Sequence, residues 1–261
     1  MPPSAEPLET TLRRGLQALG LAATEAQVQG LLAYRALIER WNRVYNLTAV
    51  RESQAMVVQH LLDSLAALPH VHAALGGVDA GAGEPQGLPG FAAGPGVAVS
   101  AAADGALQIL DVGSGAGLPG VVWALMEPRW QVCCVDAVAK KAGFVRQVAA
   151  ELALPNLRAE HARVEDLPIS AGGGGGGESR GRRGFDVITS RAFASLADFT
   201  ALTAHLLAPR GVWVAMKGQV PRDEIAALPA CVEMFHVEHL HVPGLDAARC
   251  LVWMKPRSEE S

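Results

Sequence analysis

Ile109-Leu110-Asp111-Val112-Gly113-Ser114-Gly115-Ala116-Gly117-Leu118-Pro119-Gly120 is the stretch on which the fold turns. A short apolar run leads straight into four glycines. Without a Cβ they allow a tight strand-to-helix turn and let a ligand approach the backbone at the helix N-terminus. Downstream, β-rich runs at Leu107–Val112, Val132–Val135, Leu157–His161, Asp186–Ser190 and Val212–Met216 alternate with helical ones. Such alternation predicts a doubly wound α/β fold, a parallel sheet with helices on both faces. Between Val232–Val242 and Arg249–Lys255 no helix-length segment intervenes, which predicts an antiparallel hairpin at one sheet edge.

The loop admits two nucleotide ligands. Gly115, Gly117 and Gly120 satisfy G-x-G-x-x-G, and Asp136 follows about 20 residues later, the spacing of an NAD site. Against NAD, Asp111 lies inside the strand, where the dinucleotide motif carries an apolar residue. An acid followed by G-x-G-x-G resembles the first motif of class I S-adenosylmethionine-dependent methyltransferases, and that acid can hold the loop. Asp136, closing the second strand, would then accept the ribose hydroxyls, since a carboxylate offers several acceptor sites. Val164 and Glu165, just after the third strand, are placed to reach the adenine. An NAD-dependent oxidoreductase also needs a catalytic Tyr-Lys pair or His, and Tyr34 and Tyr45, the two tyrosines, both precede the sheet. The loop alone leaves both cofactors open.

Upstream, from Leu8 to about Leu75, apolar residues recur at three and four (Leu12, Leu16, Leu19; Val28, Leu31, Leu32), the pattern of amphipathic helices. Thr24 and Gln27 form a capping-box signal. A further helix is expected over Ala55–Leu68, interrupted by Pro69. The chain thus divides into a helical segment (1–75), a Gly/Ala/Pro-rich linker or insertion (76–106), an α/β domain (107–256) and a short tail (257–261). Inside that domain a Gly/Arg tract (170–184) holds six consecutive glycines and then Arg180, Arg182 and Arg183.

With 261 residues, 50% of them hydrophobic and 18% charged, the chain is too apolar to be disordered. Its 22 basic against 26 acidic side chains, net charge −4, supply no global attraction to a polyanion, so any nucleic-acid surface must be a local patch. No apolar run approaches the ~18 residues of a membrane span, and Met1–Glu6 lacks the basic and apolar regions of a signal peptide. A cytoplasmic protein without membrane attachment is expected. The four cysteines include no C-x-x-C pair, so no metal is expected and the thiols are read as reduced and mostly buried. No heptad or long apolar edge is visible, so a monomer is expected.

The glycine loop has company: Arg40-Trp41-Asn42-Arg43-Val44-Tyr45-Asn46-Leu47-Thr48-Ala49-Val50-Arg51, His60-Leu61-Leu62-Asp63-Ser64, Arg163-Val164-Glu165, Ser190-Arg191-Ala192-Phe193 and Lys217-Gly218-Gln219. Together, from about Leu12 to Lys255, these closely resemble the bacterial ribosomal RNA small subunit methyltransferase G family, formerly glucose-inhibited division protein B. The resemblance implies methyl transfer from S-adenosylmethionine to N7 of one guanine in 16S rRNA of the small ribosomal subunit. It carries cofactor contacts onto Gly113, Leu118, Val164, Glu165 and Arg191. Gly115, Gly117, Asp111 and Asp136 are added from loop and strand position. The two Gly-rich tracts look like insertions relative to shorter members.

Guanine N7 has a lone pair and no proton, so the reaction needs alignment and electrostatics rather than a general base. Arg191 closes the fourth strand, where a side chain faces the crevice at the carboxyl ends, and it can bind the cofactor carboxylate or donate to guanine O6. Asn46, Thr48, His60 and Asp63 are expected either as a polar rim of positioning residues above the pocket or as a buried cluster tying the helices to the sheet. His60 and Asp63, three apart, share a helix face. Trp41 and Tyr45 are read as helix packing. Two basic sets are candidates for rRNA phosphates. One is Arg35, Arg40, Arg43 and Arg51, in a stretch whose only acid is Glu39; the other is Lys140, Lys141 and Arg146 beside the loop. Two rivals keep the fold: a small-molecule methyltransferase, which would show a closed apolar lid, and a non-catalytic ribosome-binding module.

Overall fold

A computed structural model describes residues 6–74, 106–168 and 184–257. Most of the 76–106 and 170–184 tracts therefore lies outside the described residues. Helices α1 (Leu8–Ala18) and α2 (Glu25–Tyr45) come first, and α2 opens on the expected capping box. The Thr24 hydroxyl accepts from the Gln27 N–H, and the Gln27 side chain accepts from the Thr24 N–H at 2.8 Å. The next helical stretch is built in three pieces: α3 (Ser53–Met56), a π-helical turn (Val57–Leu62) and α4 (Asp63–Leu65). Pro69 does not end it. The chain turns at Ala66 and Ala67, and Pro69 lies in the first turn of a new helix, α5 (Leu68–Ala74), where its missing N–H has no partner to lose.

The strands are β1 (Gln108–Val112), β2 (Gln131–Asp136), β3 (Leu157–His161), β4 (Phe185–Ser190), β5 (Leu207–Lys217), β6 (Val232–Leu240) and β7 (Arg249–Pro256). They form one sheet in the order β3-β2-β1-β4-β5-β7-β6. β1 to β5 are mutually parallel, and β7 runs antiparallel to both β5 and β6, giving the expected edge hairpin. Helices α6 (Gly120–Met126) and α7 (Ala139–Glu151) follow β1 and β2; α8 (Leu196–Thr203) and α9 (Arg222–Ala226) follow β4 and β5.

Because strand side chains alternate, each strand feeds two cores. Ile109, Cys134, Val187 and Val214 pack on the face covered by α6, α7 and the N-terminal helices; Leu110, Cys133, Ile188 and Trp213 pack with α8 on the other. Adjacent Cys133 and Cys134 thus enter opposite layers; both are buried, as is Cys250, while Cys231 is exposed. The N-terminal helices share the first core rather than standing apart. Trp123 Nε1 donates to the Ser64 carbonyl at 3.0 Å and the Gln27 amide to the Met126 carbonyl at 2.8 Å, tying both helical layers to α6. No helix among the described residues is long and apolar enough to cross a membrane.

β1 lies between β2 and β4, with β3 on one side and β5 on the other. Here the winding reverses, and the crevice outside the carboxyl ends of β1 and β4 is where ligands bind in such sheets.

Candidate active site

The glycine loop after β1 takes the conformation that its composition demands. Gly113, Gly115 and Gly117 have φ of +63°, +59° and +89°, a region that L side chains rarely adopt. Apart from its chain neighbours, a Cβ on Gly115 would come no nearer than 4.0 Å to any described atom, that one the Gly113 carbonyl oxygen. The loop therefore offers bare backbone over which a flat ligand can lie. Beneath it, the Val135 carbonyl accepts from Gly113 and Ser114 N–H, and Tyr34, fully buried on α2, donates to the Ala116 carbonyl at 2.6 Å. Helix α2 thus braces the loop from behind, a role the tyrosine's position before the sheet did not suggest.

The two strand acids do different work. Asp111 is 0% exposed, so it lies under the loop and out of reach of a ligand in the crevice. Its Oδ2 accepts from the Gly120 N–H at 2.8 Å and fixes the start of α6, while Oδ1 has no partner. Asp136, nearly buried, accepts from Gly115 N–H at 2.9 Å and from Val138 N–H at 2.8 Å, joining the first loop to the second. Each of its oxygens keeps a second lone pair for a ribose hydroxyl. Leu118 and Val164 are buried, and Glu165 is exposed beside Arg163 at 2.7 Å.

Burial pushes the Asp111 carboxyl up to about 7, with the Gly120 N–H and Arg191 opposing. A group whose folded value is raised holds its proton where the unfolded chain has lost it, so stability falls as pH rises from about 4 to about 7. Each unit of that gap is worth about 1.4 kcal/mol. Asp111→Asn, which can still accept from Gly120, is expected to flatten the slope of unfolding free energy over this window. Denaturant titrations from pH 4 to 8 measure it, and an unchanged slope would refute the assignment.

Arg191, at the end of β4, joins the sheet to the helical segment. Its Nη1 donates to the Gln59 carbonyl at 3.1 Å and to Asp63 Oδ2 at 3.2 Å. Gln59 and His60 belong to the π-helical turn, a distortion that re-aims helix groups and recurs at functional sites. Asp63 is 3% exposed, and its second oxygen accepts from Arg249 Nε at 2.7 Å. His60 is buried with Nε2 at 2.9 Å from the Thr48 hydroxyl. Burial first, then the positive Arg191, pull its imidazole down to about 4, so it is neutral at physiological pH. Gln59, His60, Asp63, Arg191, Lys217 and Arg249 line an open cleft of about 340 Å³. Phe193 lies against the loop: a Cβ on Gly113 would be 3.4 Å from its ring, and its N–H donates to the Ser190 hydroxyl.

Other sequence candidates lie elsewhere. Asn46 does not line the cleft; it ends α2 in the left-handed conformation and accepts from Arg51 at 2.8 Å. Asn42, not singled out for its own role, folds the following turn by accepting from Thr48 N–H and donating to the Val50 carbonyl. Most side chains of the expected basic patches have partners within the chain, although Arg40 and Arg43 stay 60% and 75% exposed. Arg35 and Arg43 pair with Glu39, Arg40 with Glu151 at 2.6 Å, and Arg51 donates to the Asn42 carbonyl. Arg146 donates to the Ala159 carbonyl, Lys141 lies 3.8 Å from Asp136, and Lys140 is exposed. Trp41 packs on Phe144 and Tyr45, whose ring is 41% exposed. Arg249 was missed; a charged residue directly before the apolar run Cys250–Met254 of the last strand is the signal that marks it.

A sheet in which β7 alone runs backwards between β5 and β6, with a glycine loop leaving β1 and an acid closing β2, has the class I S-adenosylmethionine-dependent methyltransferase architecture. Comparison with known sequences narrows the class. Residues 27–92 and 96–252 match the family described as rRNA small subunit methyltransferase G, and the chain belongs to that family. Ribosomal RNA small subunit methyltransferase G of Acidovorax sp. (strain JS42) is 52% identical over 250 residues, 95% of each chain. The protein of the same name from Leptothrix cholodnii is 49% identical over 98% of this chain and 99% of its own. Among solved structures, TrmN from Thermus thermophilus covers 59% of this chain and 46% of its own at 20% identity, with a TM-score of 0.44.

Proposed function

We propose that this chain transfers the methyl group of S-adenosylmethionine to N7 of a guanine in 16S rRNA of the small ribosomal subunit, acting in the cytoplasm as a monomer. The observation that carries the reading is the open cationic cleft at the end of β4, beside the bare-backbone loop of β1. A chain of net charge −4 places Arg191 and Arg249 there around the single Asp63 carboxylate, where a polyanion can enter.

Bound over Gly113–Gly117, S-adenosylmethionine supplies a methyl group on a positively charged sulfur. Asp136 would accept from the ribose hydroxyls, Leu118 and Val164 would pack the adenosine, and Glu165 would accept from the adenine amino group. Arg191, held by Gln59 and Asp63, would bind the donor's carboxylate and so set the donor's reach toward the base. No side chain removes a proton, because N7 has none. His60, neutral and held by Thr48, shapes the wall against which the purine lies.

The test is transfer of labelled methyl to 30S subunits from a strain lacking this gene, with N7-specific strand cleavage to map the base. A single labelled guanine in 16S rRNA is expected. Cofactor binding without label in RNA would overturn the substrate and keep the fold.

A further inference from the structure

The Asp63 carboxylate is shared. Oδ1 accepts from Arg249 Nε at 2.7 Å and Oδ2 from Arg191 Nη1 at 3.2 Å, so one nearly buried acid from the helical segment sets the spacing of two arginines from β4 and β7. A guanidinium carries five donor hydrogens in a rigid fork. Arg249 commits Nε to Asp63 and one Nη1 hydrogen to the Ala248 carbonyl, which leaves the Nη2 edge for another partner; its side chain is 26% exposed, on the cleft wall. Lys217 is neutralised by Glu224 at 2.9 Å. Among the described residues nothing lies within 4 Å of a Cβ added at the neighbouring Gly218, so the wall beside Arg249 leaves room for a bulky group. One carboxylate between two arginines leaves a net positive charge facing that opening, and planar forks of this kind suit phosphate oxygens.

Resting on the rRNA reading above, we propose that Arg249 is a substrate-binding residue that grips a phosphodiester of the RNA strand carrying the target guanine. Asp63 is the positioning residue that holds Arg249 at a fixed distance from Arg191. The arginine on β4 serves the methyl donor, the one on β7 serves the acceptor, and the shared acid keeps the two substrates in register.

The experiment measures KM and kcat for unmethylated 30S subunits across a salt series, and the Kd for S-adenosylmethionine, in the unsubstituted protein, Arg249→Gln and Arg249→Lys. Gln keeps a donor for Asp63 and removes the charge. It is expected to raise the 30S KM about tenfold with kcat changed less, and to reduce the slope of log affinity against log salt by about 1. S-adenosylmethionine affinity should stay within about twofold of the unsubstituted value. Lys should restore the salt slope. Three results overturn the assignment: an unchanged KM and slope in the Gln variant; a loss of S-adenosylmethionine affinity in place of RNA affinity, which would make the donor's carboxylate the anion; or a Lys variant no better than Gln. If the unsubstituted protein itself leaves 30S unlabelled, the rRNA reading fails first, and that result is distinct from the other three.

Discussion

Arg191→Ala is expected to lower methyl transfer to 30S subunits by at least about 100-fold, the scale of losing one preorganised electrostatic contact at a reacting centre. The side chain is the meeting point of three parts of the chain: it grows from the end of β4, donates to a carbonyl of the π-helical turn, and pairs with the carboxylate that also holds Arg249. Its stability cost should be much smaller, roughly 1–2 kcal/mol, because Asp63 keeps Arg249 and the lost pair is 24% exposed on the arginine side. Turnover and thermal unfolding measured on the same preparation separate the two. Near-normal turnover, or a collapse in stability that accounts for the lost activity, would remove Arg191 from the chemistry.

Gly117→Ala should be the most damaging single substitution in the loop. At φ +89° an alanine is strained, and its Cβ would lie 2.4 Å from Val121 Cγ2 and 3.1 Å from Val145 Cγ2, both on packed helices. Strain plus overpacking should cost roughly 3–4 kcal/mol and remove cofactor binding. Gly115→Ala is the control: φ is +59°, yet nothing stands in the way, and about 1–2 kcal/mol is expected from conformation alone. Equal losses at the two positions would show that space behind the loop does not matter and would undo the account of Tyr34, Val121 and Val145 as its support.

The loop and the sheet were legible because both depend on neighbours in sequence. Short β-rich runs between helical ones marked the strands: β3 agrees at both ends, while β5 begins at Leu207 rather than Val212. Positive φ restricts the loop to glycine wherever its partners are. The N-terminal motifs were legible as motifs, but not in their roles. Asn42 and Asn46 fold a turn that delivers Thr48 to His60, and the basic side chains around them bond to Glu39, Glu151 and backbone carbonyls. Spacing along a helix showed that His60 and Asp63 share a face, and the structure places both on the cleft. It did not show the π-helical turn that frees the Gln59 carbonyl for Arg191.

By itself the sequence determined the doubly wound sheet, the reversed last strand, the nucleotide loop and the family, since each rests on local periodicity, on glycine's backbone freedom, or on motifs quoted residue by residue. Only the tertiary structure decided which charges are spent and which remain available. Asp63 meets Arg191 across 128 positions and Arg249 across 186. Charge pairing depends on distance in space and on exclusion of water, and chain separations of that size carry no information about either.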